Sequence, residues 1–221
     1  MKLFSQTSSR LLQKKTIAVT SLDMPRKPLI RSSIHFYHVT TRSNDKCWFA
    51  LPLEHVWELS IKALAKANRD YPAEIYQYVL MANHYHLLIR TPNENLDQFM
   101  YIFNKNFSEQ LQRASGHINR MFGSRYKWSL IENQRHLLNV YRYVYQNPLR
   151  AGVHEKCEEY PYSCLYFRAK KLELAVPTHE LFSLRPEMMD FLNQRVGTQQ
   201  EQQIKKGLHK ARFKEPTVRD Y

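Results

Sequence analysis

The stretch YQYVLMANHYHLLIRTP, residues 76–92, decides how the rest of the chain is read. Its composition is that of buried sheet, yet it breaks at Ala82-Asn83 and resumes with His84 and His86 on either side of Tyr85. Alternate side chains of a strand project from one face, so the two imidazoles point the same way while Tyr85 serves the opposite, packed side. Such a pair can hold one divalent metal, or it can be two ordinary polar residues facing water from a half-covered sheet. A protein-bound metal also needs a third donor from elsewhere and open positions for substrate.

Working outward, AEIYQYVLM (73–81) and HYHLLIR (84–90) form either a hairpin or a single bent strand. IHFYHVTTR (34–42) alternates in part and is rich in β-branched and aromatic residues, which predicts another strand. LPLEHVWELSIKALAKANRD (51–70) places Leu53, Val56, Trp57, Ile61, Leu64 and Ala65 at helical spacing behind Pro52, which suits a first turn. Asn95 can cap a second helix whose apolar face is Leu96, Phe99, Met100, Phe103, Phe107 and Leu111. GHINRMFGSRYKWSLIE (116–132) reads as a loop entering an extended segment, and Gln134 to about Asn147 is helical by period, ending near Pro148. The order β-α-β-β-α followed by another helix predicts an α+β fold, an antiparallel sheet covered by helices. Beyond residue 170 the signal weakens to a helical piece within 179–196 and a polar, basic tail or small docking helix over 199–216.

Composition sets the bounds. With 43% apolar residues the chain can build a proper core, and Cys47, Cys157 and Cys164, without any CxxC pair, suggest neither a disulfide framework nor a zinc ribbon. No stretch approaches the roughly eighteen apolar residues of a membrane span, and a soluble protein of a reducing cytoplasm is expected. A net charge of +13 favours a polyanionic partner such as nucleic acid without saying what is done to it. Residues 1–24 read as a basic, poorly ordered arm, residues 25–170 as the main domain and 171–221 as a C-terminal extension or tail.

The helix NVYRYVYQNP (139–148) holds three tyrosines ahead of Asn147. At about 100° per residue, only Tyr143 shares a face with Asn147, roughly 40° away around the axis. An amide oxygen suits Mg²⁺ or Mn²⁺, and a phenol one turn away would sit beside whatever the metal held. Equally, the tyrosines can be packing residues and Asn147 a terminator before Pro148, which pushes it out of the helical region.

The run YVLMANHYHLLIRTP, the segment GHINRMFGSRYKWSLIE and the helix with YRYVYQNPLRAGV, in that order, resemble the single-tyrosine HUH transposases, especially their REP-associated tyrosine transposase branch. MPRKPLI, FYHVTTRSN and EYPYSCLYF extend the resemblance over about residues 24–168, and Met24-Pro25-Arg26 resembles the usual start of that family, making residues 1–23 an extension. The resemblance implies a ferredoxin-like α+β domain that cuts and joins single-stranded hairpin DNA, as a monomer or homodimer, in the bacterial cytoplasm at the nucleoid. It places the metal ligands on His84, His86 and Asn147 and the nucleophile on Tyr143, with Mg²⁺ or Mn²⁺ as cofactor. The implied reaction is transesterification through a 5′-phosphotyrosine, which a free 3′-OH can reverse.

Arg120, Arg125 and Lys127 can pair with phosphates while Phe122, Tyr126 and Trp128 stack on bases, or the aromatics can pack and the cations be merely solvated. The competing function is a domesticated relative that binds a structured DNA or RNA element without cutting it. A phosphodiesterase using His38-Val39-Thr40 would want a matching HxT or HxS at 84–86, which HYH does not supply, so His38 is read as a packed or hydrogen-bonded strand residue.

Overall fold

Residues 28–214 are described by the structure, a computed structural model; the basic arm over 1–24 and the family-like start at Met24 lie outside them. In chain order come β1 (Phe36–Arg42), α1 (Leu53–Asp70), β2 (Glu74–Met81), β3 (His84–Arg90), α2 (Leu96–Ser115), β4 (Lys127–Ile131) and α3 (Gln134–Tyr145). There follow the single turn α4 (Asn147–Arg150), then α5 (Cys164–Ala169), α6 (Pro186–Asn193) and α7 (Thr198–Leu208).

The sheet has the order β2-β3-β1-β4, and every neighbouring pair is antiparallel. Each helix of the pair α1 and α2 joins strands that are not neighbours, leaving room for one strand between them; this doubled, split β-α-β arrangement is the ferredoxin-like topology. Met81 pairs with His84, so Ala82 and Asn83 make a two-residue hairpin turn and β2 and β3 are distinct strands.

The two-residue period sorts the strands into two faces. Tyr37, Val39, Leu87, Ile89 and Leu130 lie on one and are fully or almost fully buried under α1 and α2, where Phe99, Phe103 and Phe107 complete the core. Each such side chain contributes about 1.5–3 kcal/mol by leaving water. α2 stops at Gly116, whose φ of 69° is the left-handed conformation that ends helices. The opposite face is covered at one end by α3, with Val79, Leu88 and Ile131 packed against Leu137, Val140 and Val144. Asn133 caps α3, its side chain accepting from the Arg135 and His136 amides, and Gln77 donates 2.9 Å to the Tyr141 carbonyl, fixing the helix to the sheet.

The segment beyond residue 170 folds back onto this second face. Gln146 donates to the carbonyls of Leu192 and Gln194, and the Arg142 guanidinium sits 4.3 Å from the centre of the Phe191 ring. After α7 the chain runs beside β4: the Leu130 amide donates to Ala211 and the Phe213 amide to Leu130, both within 2.9 Å. The sequence named 199–216 a tail or small docking helix; α7 docks.

Candidate active site

β1, β3 and β4 place His38, Thr40, Arg42, His84, His86 and Lys127 on the same face, because Thr40 sits opposite both His86 and Lys127, and Arg42 opposite His84. α3 covers only the other end of that face. The uncovered end is a cavity of about 560 Å³ into which the histidines and Tyr143 all open.

Two hydrogen bonds fix the imidazoles. His84 Nδ1 donates to Asn83 Oδ1 at 2.7 Å, which leaves its Nε2 with the lone pair. His86 Nδ1 lies 2.8 Å from His38 Nε2; with His86 as donor, its Nε2 also keeps a lone pair. This is the arrangement of metal-ligating histidines, each oriented through its far nitrogen by a neighbour. Burial first, and then Arg42 and Arg150, lowers the His84 pKa to about 4. Burial takes His38 to about 3, assisted by His209, and holds His86 well below its ordinary range, with His38 and His84 adding to it. At neutral pH all three are uncharged, the form that binds a metal.

The tyrosines of α3 separate by helix face. Tyr141 and Tyr145 meet edge-on at 5.1 Å and Tyr141 packs on Phe182, away from the cavity. Tyr143 instead turns its ring to His86, with centroids 6.2 Å apart and planes nearly perpendicular. Its phenol is raised above the usual tyrosine range, by burial first, against the lowering influence of Arg150 and Arg42. Asn147 follows α3 as the first residue of α4, and its Nδ2 donates to the carbonyls of Tyr143 and Val144 at 3.1 and 3.0 Å. It therefore caps the helix behind it and leaves Oδ1 as the atom able to meet a cation; it is not among the residues lining the cavity.

Cations dominate the rest of the lining. Arg42, Lys46, Arg125, Lys127 and Lys205 face the cavity, with Asp45 as the carboxylate among its lining residues. Arg120 lines a neighbouring cavity of about 570 Å³ with Tyr101, Lys105 and Tyr126, and Arg125 borders both. Of the two rings expected to offer stacking surface, Tyr126 edges the neighbouring cavity and Trp128 is turned away from both cavities. β4 begins at Lys127, so its alternation sends Lys127 to the cavity, Ser129 to the same face beneath the Lys210 carbonyl, and Trp128 into the core, 7% exposed and edge-on to Tyr37. Tyr126 is 8% exposed with the Arg125 guanidinium 5.1 Å from its ring centre. Among the described residues the most exposed aromatic rings are Trp48 and Tyr101, 79% and 63% exposed. Sequence reasoning also missed Arg42, Lys46 and Lys205; a strand reading with register would have found Arg42, but nothing local marks Lys205.

The family model described as "Transposase IS200 like" matches residues 33–147, just over half of the chain. The chain belongs to the IS200-like transposase family. The chain is 22% identical over 153 residues to a Haemophilus influenzae protein provisionally named a REP-associated tyrosine transposase, spanning 64% of this chain and 84% of the relative. A solved REP-associated tyrosine transposase bound to a REP hairpin superposes with a TM-score of 0.54 over 72% of this chain and 93% of that one, at 18% identity, a likeness of fold.

The family resemblance implies a divalent metal, and the donors can be tested against it. Among the described residues no group of three or more His, Cys, Asp or Glu is placed to hold one. His84 and His86, both opening into the cavity, are donors of a kind that Mn²⁺ or Mg²⁺ accepts, with positions left for substrate oxygens, while the Asn147 amide oxygen has the right chemistry but lies outside the cavity lining. The donor types fit.

Proposed function

We propose that this IS200-like transposase cuts single-stranded DNA at or near hairpins and rejoins it, with Tyr143 as nucleophile. The observation that carries the reading is the placement of Tyr143 edge-on to His86 in a cavity ringed by Arg42, Lys46, Arg125, Lys127 and Lys205. Hairpin DNA is proposed as substrate because a structure of the same fold was solved with a REP hairpin.

In the reaction the phenolic oxygen of Tyr143 bonds to the scissile phosphorus as the bond to the 3′-oxygen breaks; the phenol proton is lost and the departing oxygen gains one. The 5′-phosphotyrosine keeps the phosphodiester's energy, so attack by a 3′-OH reseals the strand without ATP. His84, His86 and the Asn147 carbonyl oxygen would hold Mg²⁺ or Mn²⁺, which supplies positive charge against the non-bridging phosphate oxygens. His38 and Asn83 keep the two imidazoles aimed. The cationic rim draws in the DNA backbone by releasing its counterions, independently of sequence. Trp48, exposed two residues after Lys46, is the ring placed to stack on a base.

The test is incubation with a panel of hairpin-bearing single strands and Mn²⁺, followed by a denaturing gel. A covalent protein–DNA band is expected, lost in Tyr143→Phe and retained in Tyr141→Phe and Tyr145→Phe. An adduct that persists in Tyr143→Phe removes Tyr143 from the role. Tight binding with no cleavage in any metal makes the protein a structure-specific binder.

A further inference from the structure

Arg150 joins three parts of the molecule. Its guanidinium lies 4.0 Å from the centre of the Tyr143 ring, its Nη2 donates to the Tyr143 carbonyl at 2.8 Å, and its Nε pairs with Glu201 Oε1 on α7 at 3.3 Å. A guanidinium held this close over a phenol is attracted to the ring face and limits how that ring can tilt. Packing alone gives little reason to keep an arginine here, because Nη1 is buried without a hydrogen-bond partner, and such a group calls for an explanation.

Glu201 lies far outside the segment that matches the family, residues 33–147. The helix bearing it is nonetheless fixed in place. Ser129 Oγ donates to the Lys210 carbonyl at 2.8 Å, the backbone of 211–213 pairs with Leu130, and Gly207 is packed so tightly that a Cβ would stand 2.8 Å from the Phe213 ring. α7 also sends Lys205 into the cavity.

We propose that Arg150 is a positioning residue for Tyr143 and Glu201 its anchor, so that the C-terminal helix sets the aim of the nucleophile. The proposal rests on the assignment of Tyr143 above. Its physical basis is that attack demands near-alignment of the phenolic oxygen with phosphorus, and a displacement of about 1 Å can cost about a hundredfold in rate.

The experiment uses the full chain with 3-fluorotyrosine at position 143, together with single-turnover adduct formation and equilibrium binding of a hairpin strand. Arg150→Lys is expected to slow adduct formation about a hundredfold and Glu201→Gln about tenfold. In both, affinity should stay within about twofold and the fluorine resonance should shift or broaden. Glu187→Gln, exposed on α6, should match the parent in all three. Glu201→Gln with unchanged rate and unchanged resonance overturns the proposal, as does a rate loss explained by weaker binding. If the parent protein forms no adduct on any strand, the nuclease reading fails, and the resonances alone decide whether Arg150 and Glu201 hold the ring.

Discussion

The two faces of one sheet are built from the same strands and do different work. On β3, Tyr85 faces α2 and is wholly buried, its hydroxyl bonded to Thr41 and Asn104, while His84 and His86, one residue to either side, face the cavity. The α1/α2 face is closed, apolar and sealed by stacked rings such as Phe103 on Phe107. Its opposite is closed by α3 at one end and cationic and open at the other. A period of two residues lets one strand line the core and the proposed site at once, so substitutions one position apart should have effects of different kinds.

The sharpest way to break this comparison is to alter one hydroxyl on each face. Tyr143→Phe should leave the melting temperature near that of the parent and abolish the covalent DNA band. Tyr85→Phe should keep the band and lower stability by about 1–2 kcal/mol in urea titration, since it strands the partners of a buried hydroxyl. Removing metal with EDTA should likewise abolish adduct formation, with recovery on addition of Mn²⁺, and leave folding intact because the histidines are already held by Asn83 and His38.

A second contrast uses adjacent residues of β4. Trp128→Ala should cost about 3–5 kcal/mol of stability by opening a cavity in the closed face. Lys127→Ala should barely change stability, but should weaken binding of any strand and reduce the slope of log affinity against log salt by about one. Equal effects of the two on binding would restore the stacking platform that the burial of Trp128 argues against.

The smallest effect is expected at the far end of the cavity-bearing face, where Glu74 accepts from Tyr76 and pairs with Arg90 at 2.6 Å. Burial raises the Glu74 pKa, but the bonds from Tyr76 and Arg90 outweigh it and the net shift is downward. A carboxylate with a depressed folded pKa stabilises the fold above its unfolded pKa of about 4.3 and loses that contribution as pH falls through the folded value. Thermal melts in the acid range should therefore decline less steeply for Glu74→Gln than for the parent.

Much of this was legible in local patterns. The break at Ala82-Asn83, the alternation around Tyr85 and the apolar face of Leu96 to Leu111 located β2, β3 and α2 almost to the residue, because each signal lies within one turn or one strand. Helical period also separated Tyr143 from Tyr141 and Tyr145. What was not legible depends on register or on distance in sequence. Arg42 reaches the cavity because β1 aligns it with His84, and Lys205 arrives from the last helix. The sequence left open whether the cations and aromatics between 120 and 128 form one surface or pack apart, and the start of a strand at Lys127 divides Lys127 from Trp128 between the two faces of the sheet.

The chain that follows α3 also finishes the sheet's margins. Leu80 donates to the Tyr162 carbonyl and His179 to the Ile75 carbonyl along β2, while 211–213 occupy the outer side of β4. At these positions the backbone groups that would invite another strand are already spent. A protein shortened before residue 210 would bare the amide and carbonyl of Leu130 on an otherwise intact sheet, and gain by that loss a template for sticking to its own kind.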